Sequence, residues 1–215
     1  MLCISGLVVQ VITLDQMLGW YLSIFLTYGD KMKLIITGHT SPMGKDVYEH
    51  YSKTYDCLGI SRNTGYDLNN NQDQDKLVSE ALDRDIFLNI AHVVSSQSTL
   101  LLKLKQRWSK EAPLKKVITI GSLATKLPQK LLDQVGIDKQ YLKDKHHIDA
   151  VSNSLANEMP FGAQLQFSLV RVLNYGKKTG TREGEPSCSA EDIIRTIDYL
   201  INEPMYVGVI DVRRF

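Results

Sequence analysis

Largely apolar runs alternate with amphipathic segments along most of the chain, and this pattern predicts the fold class. Runs such as 86–91 and 117–121 lie between polar or glycine-containing turns, which is typical of buried strands. Between the runs, apolar residues recur at helical spacing, as Met43, Val47 and Tyr51 do. Strands that are apolar on both faces and alternate with helices form mainly parallel sheets. We therefore expect an α/β fold with a doubly wound, mainly parallel sheet in three α/β/α layers.

The same pattern predicts where the elements begin and end. The expected strands are 34–36, 57–61, 86–91, 117–121, 165–173 and 207–212, with a further very short strand at 66–68. One expected helix begins near Gly44, and another passes through Val78 and Leu82. Further helices are expected at 98–108, about 138–158 and about 190–202. The last of them has Ser189 as its N-cap and Asp192 three residues on. Residues 69–75 are either a loop or the approach to a helix capped by Asp73 or Asp75. We expect 123–137 to be irregular and 174–188 to form a loop.

Residues 1–31 differ from the rest of the chain because they are rich in Leu, Ile, Val and Met. They contain no Lys or Arg before their final residue, so the basic start of a signal peptide is missing. Gln10, Asp15 and Gln16 interrupt the apolar run, whose pieces are shorter than the ~20 residues of a spanning helix. We interpret 1–31 as an apolar leader that precedes, or is appended to, a single domain at 32–215. A membrane-binding or partner-binding helix is the alternative.

Composition and charge exclude several classes of function. The 215 residues are 43% apolar and 23% charged, which is ordinary for a globular protein. A net charge of +1 offers no electrostatic attraction for nucleic acid or an anionic membrane. Cys3, Cys57 and Cys188 are scattered and form no C-x-x-C pair, which fits a reducing compartment and argues against a zinc site. We expect a cytoplasmic protein that has no metal and binds neither nucleic acid nor membrane.

The stretch Lys33–Val47 joins an apolar run to a glycine-containing turn and a helix-like segment. An ordinary strand, turn and helix would explain it. The functional alternative is a nucleotide cradle, in which Gly38 lets the backbone approach a phosphate and the next helix offers its N-terminal N–H groups. Short glycine motifs occur by chance, so the residues that follow must decide between these interpretations.

Tyr141 and Lys145 are four residues apart on the expected long helix, so they share one face. An ammonium group near a phenol favours the phenolate, which makes a tyrosine useful in proton transfer. Ser122 ends the strand before this helix, at the edge of the sheet where ligands bind, and can hydrogen-bond a substrate oxygen. Tyrosine and lysine at this spacing are common on surface helices, so their order behind the glycine turn is what carries the argument.

The order of these motifs along residues 33–212 resembles that of the short-chain dehydrogenase/reductase family. The sequence TGHTSPMG at 37–44 resembles the family's T-G-x-x-x-G-x-G loop, with Pro42 in place of the middle glycine. The sequence NIAH at 89–92 resembles its N-N-A-G segment, with two of the four positions kept. The resemblance implies a Rossmann-like domain that binds a nicotinamide cofactor.

The catalytic residues of that family also have counterparts in this chain. Ser122, Tyr141 and Lys145 match its serine and its Y-x-x-x-K motif. The resemblance implies carbonyl reduction or alcohol oxidation by hydride transfer, with the tyrosine as proton donor or acceptor. The family's fourth catalytic residue, an asparagine, has no counterpart, and either Gln97 or Ser98 could replace it.

The choice of cofactor depends on the end of the second strand, where NAD-preferring sites place an acid. Here that position is Ser61 followed by Arg62, and a guanidinium suits a 2′-phosphate. We expect NADP(H), with NAD(H) possible, and the alternative is that Arg62 is a solvated turn residue. The expected cofactor contacts, most of them implied by the resemblance, are Gly38, Thr40, Ser41, Met43, Gly44, Ser61, Arg62, Asp67, Leu68, Asn89, Ala91, Tyr141, Lys145 and Thr179, with Thr181 as an alternative to Thr179.

The resemblance further implies a homodimer or homotetramer that acts on a small-molecule carbonyl or alcohol. A different class of function is an NAD(P)-binding sensor or scaffold with little catalysis, which the short chain and the missing asparagine favour. A third, more remote one is an interaction protein anchored through its leader.

Overall fold

A computed structural model describes residues 3–4, 7–8, 31–108, 115–158, 165–173, 175, 187–203 and 206–213, apart from the side chains of Cys3, Ile4, Leu7, Val8 and Val135. The chain forms two compact units, Met1–Lys31 and Met32–Phe215. In the first unit, strands β1 (Cys3–Ile4) and β2 (Leu7–Val8) pair antiparallel. The interpretation of this unit as a leader concerns mainly 9–30, which lie outside the described residues.

The second unit is built on a parallel sheet with helices on both faces. Its strands are β3 (Lys33–Thr37), β4 (Asp56–Ile60), β5 (Ile86–Asn89), β6 (Lys115–Ser122), β7 (Leu165–Val172) and β8 (Val209–Val212). Its helices are α1 (Pro42–Tyr51), α2 (Asn71–Ala81), α3 (Ser96–Trp108), α4 (Gln129–Val135), α5 (Lys139–Glu158) and α6 (Ala190–Asn202). The strand order is β4-β3-β5-β6-β7-β8 and all neighbouring strands are parallel. The predicted doubly wound α/β/α fold is therefore confirmed.

The core lies on both faces of this sheet because successive strand side chains point to opposite sides. One hydrophobic cluster joins α2, α3 and α5 to the strand residues Ile35, Phe87, Val117 and Phe167. The other joins α1 and α6 to the strand residues Leu34, Ile36, Ile86, Leu88, Ile118, Ile120, Val170 and Val172. Each fully buried side chain of this kind stabilises the fold by roughly 1.5–3 kcal/mol. Among the helices that the structure describes, none has the length and apolar composition needed to cross a bilayer.

The order of the strands locates the crevice where ligands bind in such sheets. The chain runs from β3 outward to β4, at the edge, and then returns to pair β5 on the other side of β3. Ligands of open α/β sheets bind beyond the carboxyl ends of the strands at this reversal. The crevice therefore lies between the ends of β3 and β5, at Thr37 and Asn89.

The predicted short strand at 66–68 does not form. The chain instead enters a 3-10 turn at Arg62–Thr64, and Gly65 follows with a φ of 83°, which favours glycine. The N–H of Tyr66 then donates to the carbonyl of Ser61 at 3.1 Å, and the side chain of Leu68 packs into the core. Burial of the Tyr66 and Leu68 side chains after this turn prevails over strand propensity, so β4 remains the edge of the sheet.

Two other boundary predictions need correction. Asn70, and not Asp73 or Asp75, caps α2, because its side-chain oxygen accepts from the N–H of Gln72 at 2.9 Å. Residues 123–137 are not irregular, since a 3-10 turn at Leu123–Lys126 and helix α4 occupy most of them. Pro128 precedes α4 and Gly136 ends it with a φ of 65°.

The predicted cap of α6 is confirmed. The Ser189 hydroxyl accepts from the N–H of Asp192 at 3.3 Å, and the Asp192 carboxylate accepts from the N–H of Ser189 at 2.8 Å. The loop predicted at 174–188 lies mostly outside the described residues.

Candidate active site

The turn after β3 requires glycine at its first position. Gly38 has a φ of 72°, and a Cβ placed there would lie 2.8 Å from the Cα of Ala91. The N–H of Gly38 donates to the carbonyl of Ile60 at 2.8 Å. The ends of β3, β4 and β5 are therefore drawn together around one residue without a side chain.

Helix α1 begins directly at this turn. The Ser41 hydroxyl accepts from the N–H of Gly44 at 3.2 Å, and Pro42 occupies the first helical position. A proline there costs no hydrogen bond, because the N–H it lacks has no partner within a helix. A Cβ on Gly44 would lie 2.0 Å from the carbonyl oxygen of Gly38, so the helix packs against the turn. The positive end of the α1 dipole thus lies at the crevice, beside Thr40 and Met43.

The segment after β5 is locked to β3. The Thr37 hydroxyl accepts from the N–H groups of Ile90 and Ala91 at 3.0 and 3.1 Å. Asn89 is fully buried, and its amide nitrogen donates to the carbonyl of Gln97 at 3.1 Å. Asn89 and Ala91, both expected to bind cofactor, therefore shape the floor of the crevice. The side chain of Asn89 forms its hydrogen bond within the protein.

The end of β4 carries the residues expected to distinguish NADP from NAD. Arg62 is exposed at the start of the 3-10 turn. Ser61 is 8% exposed, and its hydroxyl oxygen is buried without a hydrogen-bond partner among the described residues. A buried hydroxyl in this state can accept or donate a hydrogen bond to a bound group. These residues fit a phosphorylated ribose.

Sequence reasoning missed His39, whose imidazole packs on β4. A Cβ on Gly59 would lie 2.7 Å from the ring of His39, so the glycine makes room for the histidine. The ring also lies 5.2 Å from that of Tyr48, centroid to centroid. Its Nδ1 is buried and has no hydrogen-bond partner within the described part of the chain. The signal in the sequence was a glycine inside an otherwise apolar strand.

Other expected cofactor residues are placed less directly. Asp67 is exposed, and its carboxylate accepts from the N–H of Asn69 at 3.0 Å. Leu68 is 4% exposed and belongs to the core. Thr179 and its alternative Thr181 lie outside the described residues.

Lys145 is the most strongly perturbed group of the site. Its side chain is buried in α5, and its ammonium donates to the Gln97 side-chain oxygen at 2.9 Å and to the Ile120 carbonyl at 3.3 Å. Burial lowers the pKa of Lys145 to about 8, although the carboxylates of Asp144 and Asp149 oppose this shift. A lysine with such a pKa changes its charge near neutral pH, which is characteristic of functional sites.

Tyr141 lies one helical turn before Lys145. The Lys145 ammonium is 5.7 Å from the centre of the Tyr141 ring, and the ring of His92 meets it edge-on at 4.9 Å. The Tyr141 hydroxyl makes no hydrogen bond to the residues that the structure describes. Burial lowers the pKa of His92, as does the positive charge of Lys145. Both effects favour the uncharged imidazole of His92, and the tyrosine hydroxyl is available to a substrate.

Ser122 lies at the last position of β6. It is 7% exposed, and its hydroxyl accepts from the N–H of Ala124 at 3.2 Å, so the hydroxyl proton is left for another acceptor. Helix α5 packs against the 3-10 turn that follows. The structure thus brings Tyr141, Lys145, His92 and Gln97 together, whereas Ser122 forms no hydrogen bond with them.

Between Gln97 and Ser98, the geometry selects Gln97 as the partner of Lys145. Gln97 is 1% exposed, and its amide nitrogen donates to the carbonyls of Asn89 at 3.1 Å and Ile120 at 3.4 Å while its oxygen accepts from the lysine. Ser98 instead donates to the carbonyl of Ser95 at 2.9 Å and contacts His147. Gln97 therefore joins the ends of β5 and β6 to the ammonium of α5.

Comparisons with known proteins establish the fold. No protein-family model and no curated protein sequence matches the chain. The 3-alpha-hydroxysteroid dehydrogenase from Pseudomonas sp. B-0831, complexed with NADH, is similar with a TM-score of 0.63 and 15% identity, over 84% of this chain and 94% of that one. A short-chain dehydrogenase from Burkholderia cenocepacia J2315, in complex with NADP, is similar with a TM-score of 0.67 and 10% identity, over 85% and 88% of the two chains. The chain therefore has the fold of the short-chain dehydrogenase/reductases, as the sequence motifs predicted.

A solved structure that is named for a different activity has a similar fold. Ribose-5-phosphate isomerase from Brucella melitensis 16M is similar with a TM-score of 0.65 and 15% identity, over 85% of this chain and 91% of that one. Fold similarity at this level of identity does not define a reaction, so function must be argued from the site. Within the described residues, no group of three or more His, Cys, Asp or Glu side chains could hold a metal ion.

Proposed function

We propose that this protein is an NADP(H)-dependent oxidoreductase that reduces a carbonyl compound or oxidises the corresponding alcohol. The observation that carries the proposal is the buried Lys145, held by Gln97 one helical turn from Tyr141, whose hydroxyl has no partner among the described residues. This pair lies behind a glycine turn and a helix N-terminus of the kind that binds phosphates. When bound, NADP(H) supplies or accepts the hydride.

Tyr141 transfers the proton that accompanies the hydride. In the reducing direction its hydroxyl donates a proton to the carbonyl oxygen as negative charge develops there, and in the other direction the phenolate takes the proton back. The ammonium of Lys145 favours the phenolate by its charge. The hydroxyl of Ser122 donates a hydrogen bond to the same substrate oxygen and orients it.

The preference for NADP(H) rests on Arg62 and Ser61. The exposed guanidinium is free of ion pairs within the described part of the chain, and the unpartnered Ser61 hydroxyl lies next to it in sequence. Guanidinium and hydroxyl donors match the oxygens of a 2′-phosphate. An acid, which would hold the ribose hydroxyls of NAD, does not follow β4.

Binding and turnover must be measured separately to test this proposal. NADPH and NADH binding is measured by fluorescence, and a panel of carbonyl compounds is then screened with the parent and with Tyr141→Phe. We expect NADPH binding in both proteins and a loss of turnover of roughly 10²-fold or more in the variant, because the proton donor is removed. Tight NADPH binding without Tyr141-dependent turnover would favour the sensor or scaffold, and binding of neither nucleotide would exclude both functions.

Two matched arginine variants test the preference for NADP(H) over NAD(H). Arg62→Ala is expected to weaken NADPH at least about tenfold while leaving NADH nearly unchanged, since a charge-assisted hydrogen bond contributes roughly 1.5–3 kcal/mol. Arg107→Ala, at another exposed arginine, on α3, serves as the control. Equal losses for both nucleotides in Arg62→Ala would contradict the NADP(H) assignment. The proposal includes a cytoplasmic homodimer or homotetramer, which light scattering and cell fractionation would test.

A further inference from the structure

A small hollow lies beyond the carboxyl ends of β6, β7 and β8. It has a volume of about 60 Å³ and is lined by Leu123, Lys126, Leu127, Leu173 and Arg213. A single water molecule needs about 10–15 Å³ of such space, whereas a whole small-molecule site occupies roughly 300–1,000 Å³. The hollow can therefore receive one end group of a ligand and the carbon next to it, but not a whole ligand.

The lining combines an apolar floor with two cations. Three leucines supply the apolar part, while Lys126 and Arg213 are about half-exposed, at 46% and 47%. Their charged groups thus remain accessible from solvent, and the aliphatic parts of both side chains extend the apolar surface. An end group that suits this lining is anionic and is attached to a hydrocarbon chain.

A network of ion pairs, centred on the buried pair Arg171 and Asp149, determines how much negative charge the hollow accepts. Arg171 is 7% exposed and holds Asp149 at 2.9 Å and Asp211 at 3.1 Å. Lys126 approaches Asp149 at 3.6 Å and Arg213 approaches Asp211 at 3.3 Å. These three cations and two carboxylates leave one net positive charge, which matches a monoanion such as a carboxylate better than a doubly charged phosphate.

The position of the hollow connects it to the candidate active site. Leu123 directly follows Ser122, whose hydroxyl is proposed to orient the reacting oxygen, and Lys126 ends the same 3-10 turn. Leu173 and Arg213 follow the two neighbouring strands β7 and β8. All of these residues lie at the edge of the sheet where ligands of this fold class bind.

We propose that this hollow binds the carboxylate end of the substrate, which makes the substrate class a short-chain oxo acid or the corresponding hydroxy acid. The assignment of that ligand as a substrate rests on the proposed oxidoreductase function. The carboxylate lies between Lys126 and Arg213, and the methylene group next to it contacts the leucine side chains of the hollow.

Direct binding to the full chain tests this proposal without any cofactor or turnover. 5-Oxohexanoate and the matched neutral ketone 2-hexanone are titrated while protein chemical shifts are recorded. We expect the oxo acid to bind at least about fivefold more tightly, with each of Lys126→Met and Arg213→Met removing roughly threefold, as partly exposed charge pairs do. Both variants should fold, because Asp149 and Asp211 keep Arg171 as their partner.

Lys53→Met removes an exposed lysine that precedes β4, at the opposite edge of the sheet, and provides the control. Equal affinity for the acid and the ketone, or equal losses in Lys53→Met, would overturn the carboxylate site. Stronger binding of a hexyl phosphate that depends on the same two cations would also overturn it. These outcomes are independent of NADPH binding and of Tyr141, so failure of the proposed function would be recognised separately.

Discussion

At the scale of single residues, the decisive feature is a buried lysine ammonium that has no direct carboxylate partner among the residues described by the structure. Lys145 is held by two neutral oxygens, from Gln97 and Ile120. Neutral acceptors compensate only part of the free energy lost when an ammonium leaves water, so the uncharged form becomes accessible near pH 8. Gln97 therefore positions Lys145 without suppressing its titration, which an acid at the same place would do.

Gln97→Glu provides a test of this positioning role in the pH profile. We expect kcat/KM of the parent to fall as the pH rises through about 8, because Lys145 loses its charge there. A carboxylate in contact with the ammonium should move this limb upward by about one pH unit or more. Gln134→Glu, on the exposed surface of α4, should leave the profile unchanged. An unshifted limb in Gln97→Glu would contradict the role.

The same pKa shift makes stability depend on pH in a defined direction. Burial lowers the pKa of Lys145 from 10.5 to about 8, so between these values the unfolded chain binds more protons at this residue than the folded one. Raising the pH across this window therefore favours the folded state. Relative to Lys145→Met, the parent should gain free energy of unfolding on the order of 1 kcal/mol between about pH 8 and pH 10. Urea denaturation at several pH values measures the gain, and parallel curves would contradict it.

At the scale of elements, two adjacent lysines attach helices to opposite faces of the sheet. The Lys115 ammonium donates to the carbonyls of Leu82 and Arg84 at 2.8 and 2.6 Å, just beyond the end of α2. The Lys116 ammonium donates to carbonyls at the end of α6, namely those of Leu200, Ile201 and Glu203 at 2.9, 2.8 and 3.1 Å. Consecutive strand residues point to opposite faces, and a cation is favoured at a helix C-terminus.

Replacement of Lys116 should loosen α6 in particular. Lys116→Met removes the donor to three carbonyls of the last turn, and we expect a loss of about 1–2 kcal/mol in the free energy of unfolding. Amide hydrogen exchange should accelerate first in the last turn of α6. Lys53→Met is the matched control, since Lys53 is exposed and follows α1. Equal stability of the two variants would show that the cap contributes nothing measurable.

At the scale of the whole molecule, the described residues of the two hydrophobic clusters belong to the unit Met32–Phe215. A unit with its own core on both faces of a sheet can fold by itself. A chain that begins at Met32 should therefore show the same midpoint and slope of urea denaturation as the full chain. A lower midpoint in the shortened chain would indicate that residues 1–31 contribute to the stability of the domain.

By itself, the sequence determined the fold class and most element boundaries of the second unit. Buried strands and amphipathic helices leave a periodic record, because each side chain must match the solvent on its own side. Helix α5 begins one residue from its predicted start, and the cap of α6 is the predicted one. Gly38 and Pro42 also reflect local structure, because each suits the backbone conformation at its own position in the turn.

Only the tertiary structure decided which distant side chains meet. The sequence left Gln97 and Ser98 equivalent as replacements for the asparagine, and the close packing of α3, α5 and the ends of β5 and β6 places Gln97, and not Ser98, against Lys145. The packing of the His39 ring against Gly59 likewise arises only because β3 and β4 lie side by side. The strand predicted at 66–68 does not form, because the side chains of Tyr66 and Leu68 are buried in the core instead. Contacts of this kind depend on positions in space that periodicity along the chain does not encode, since periodicity records only the side of an element that is buried.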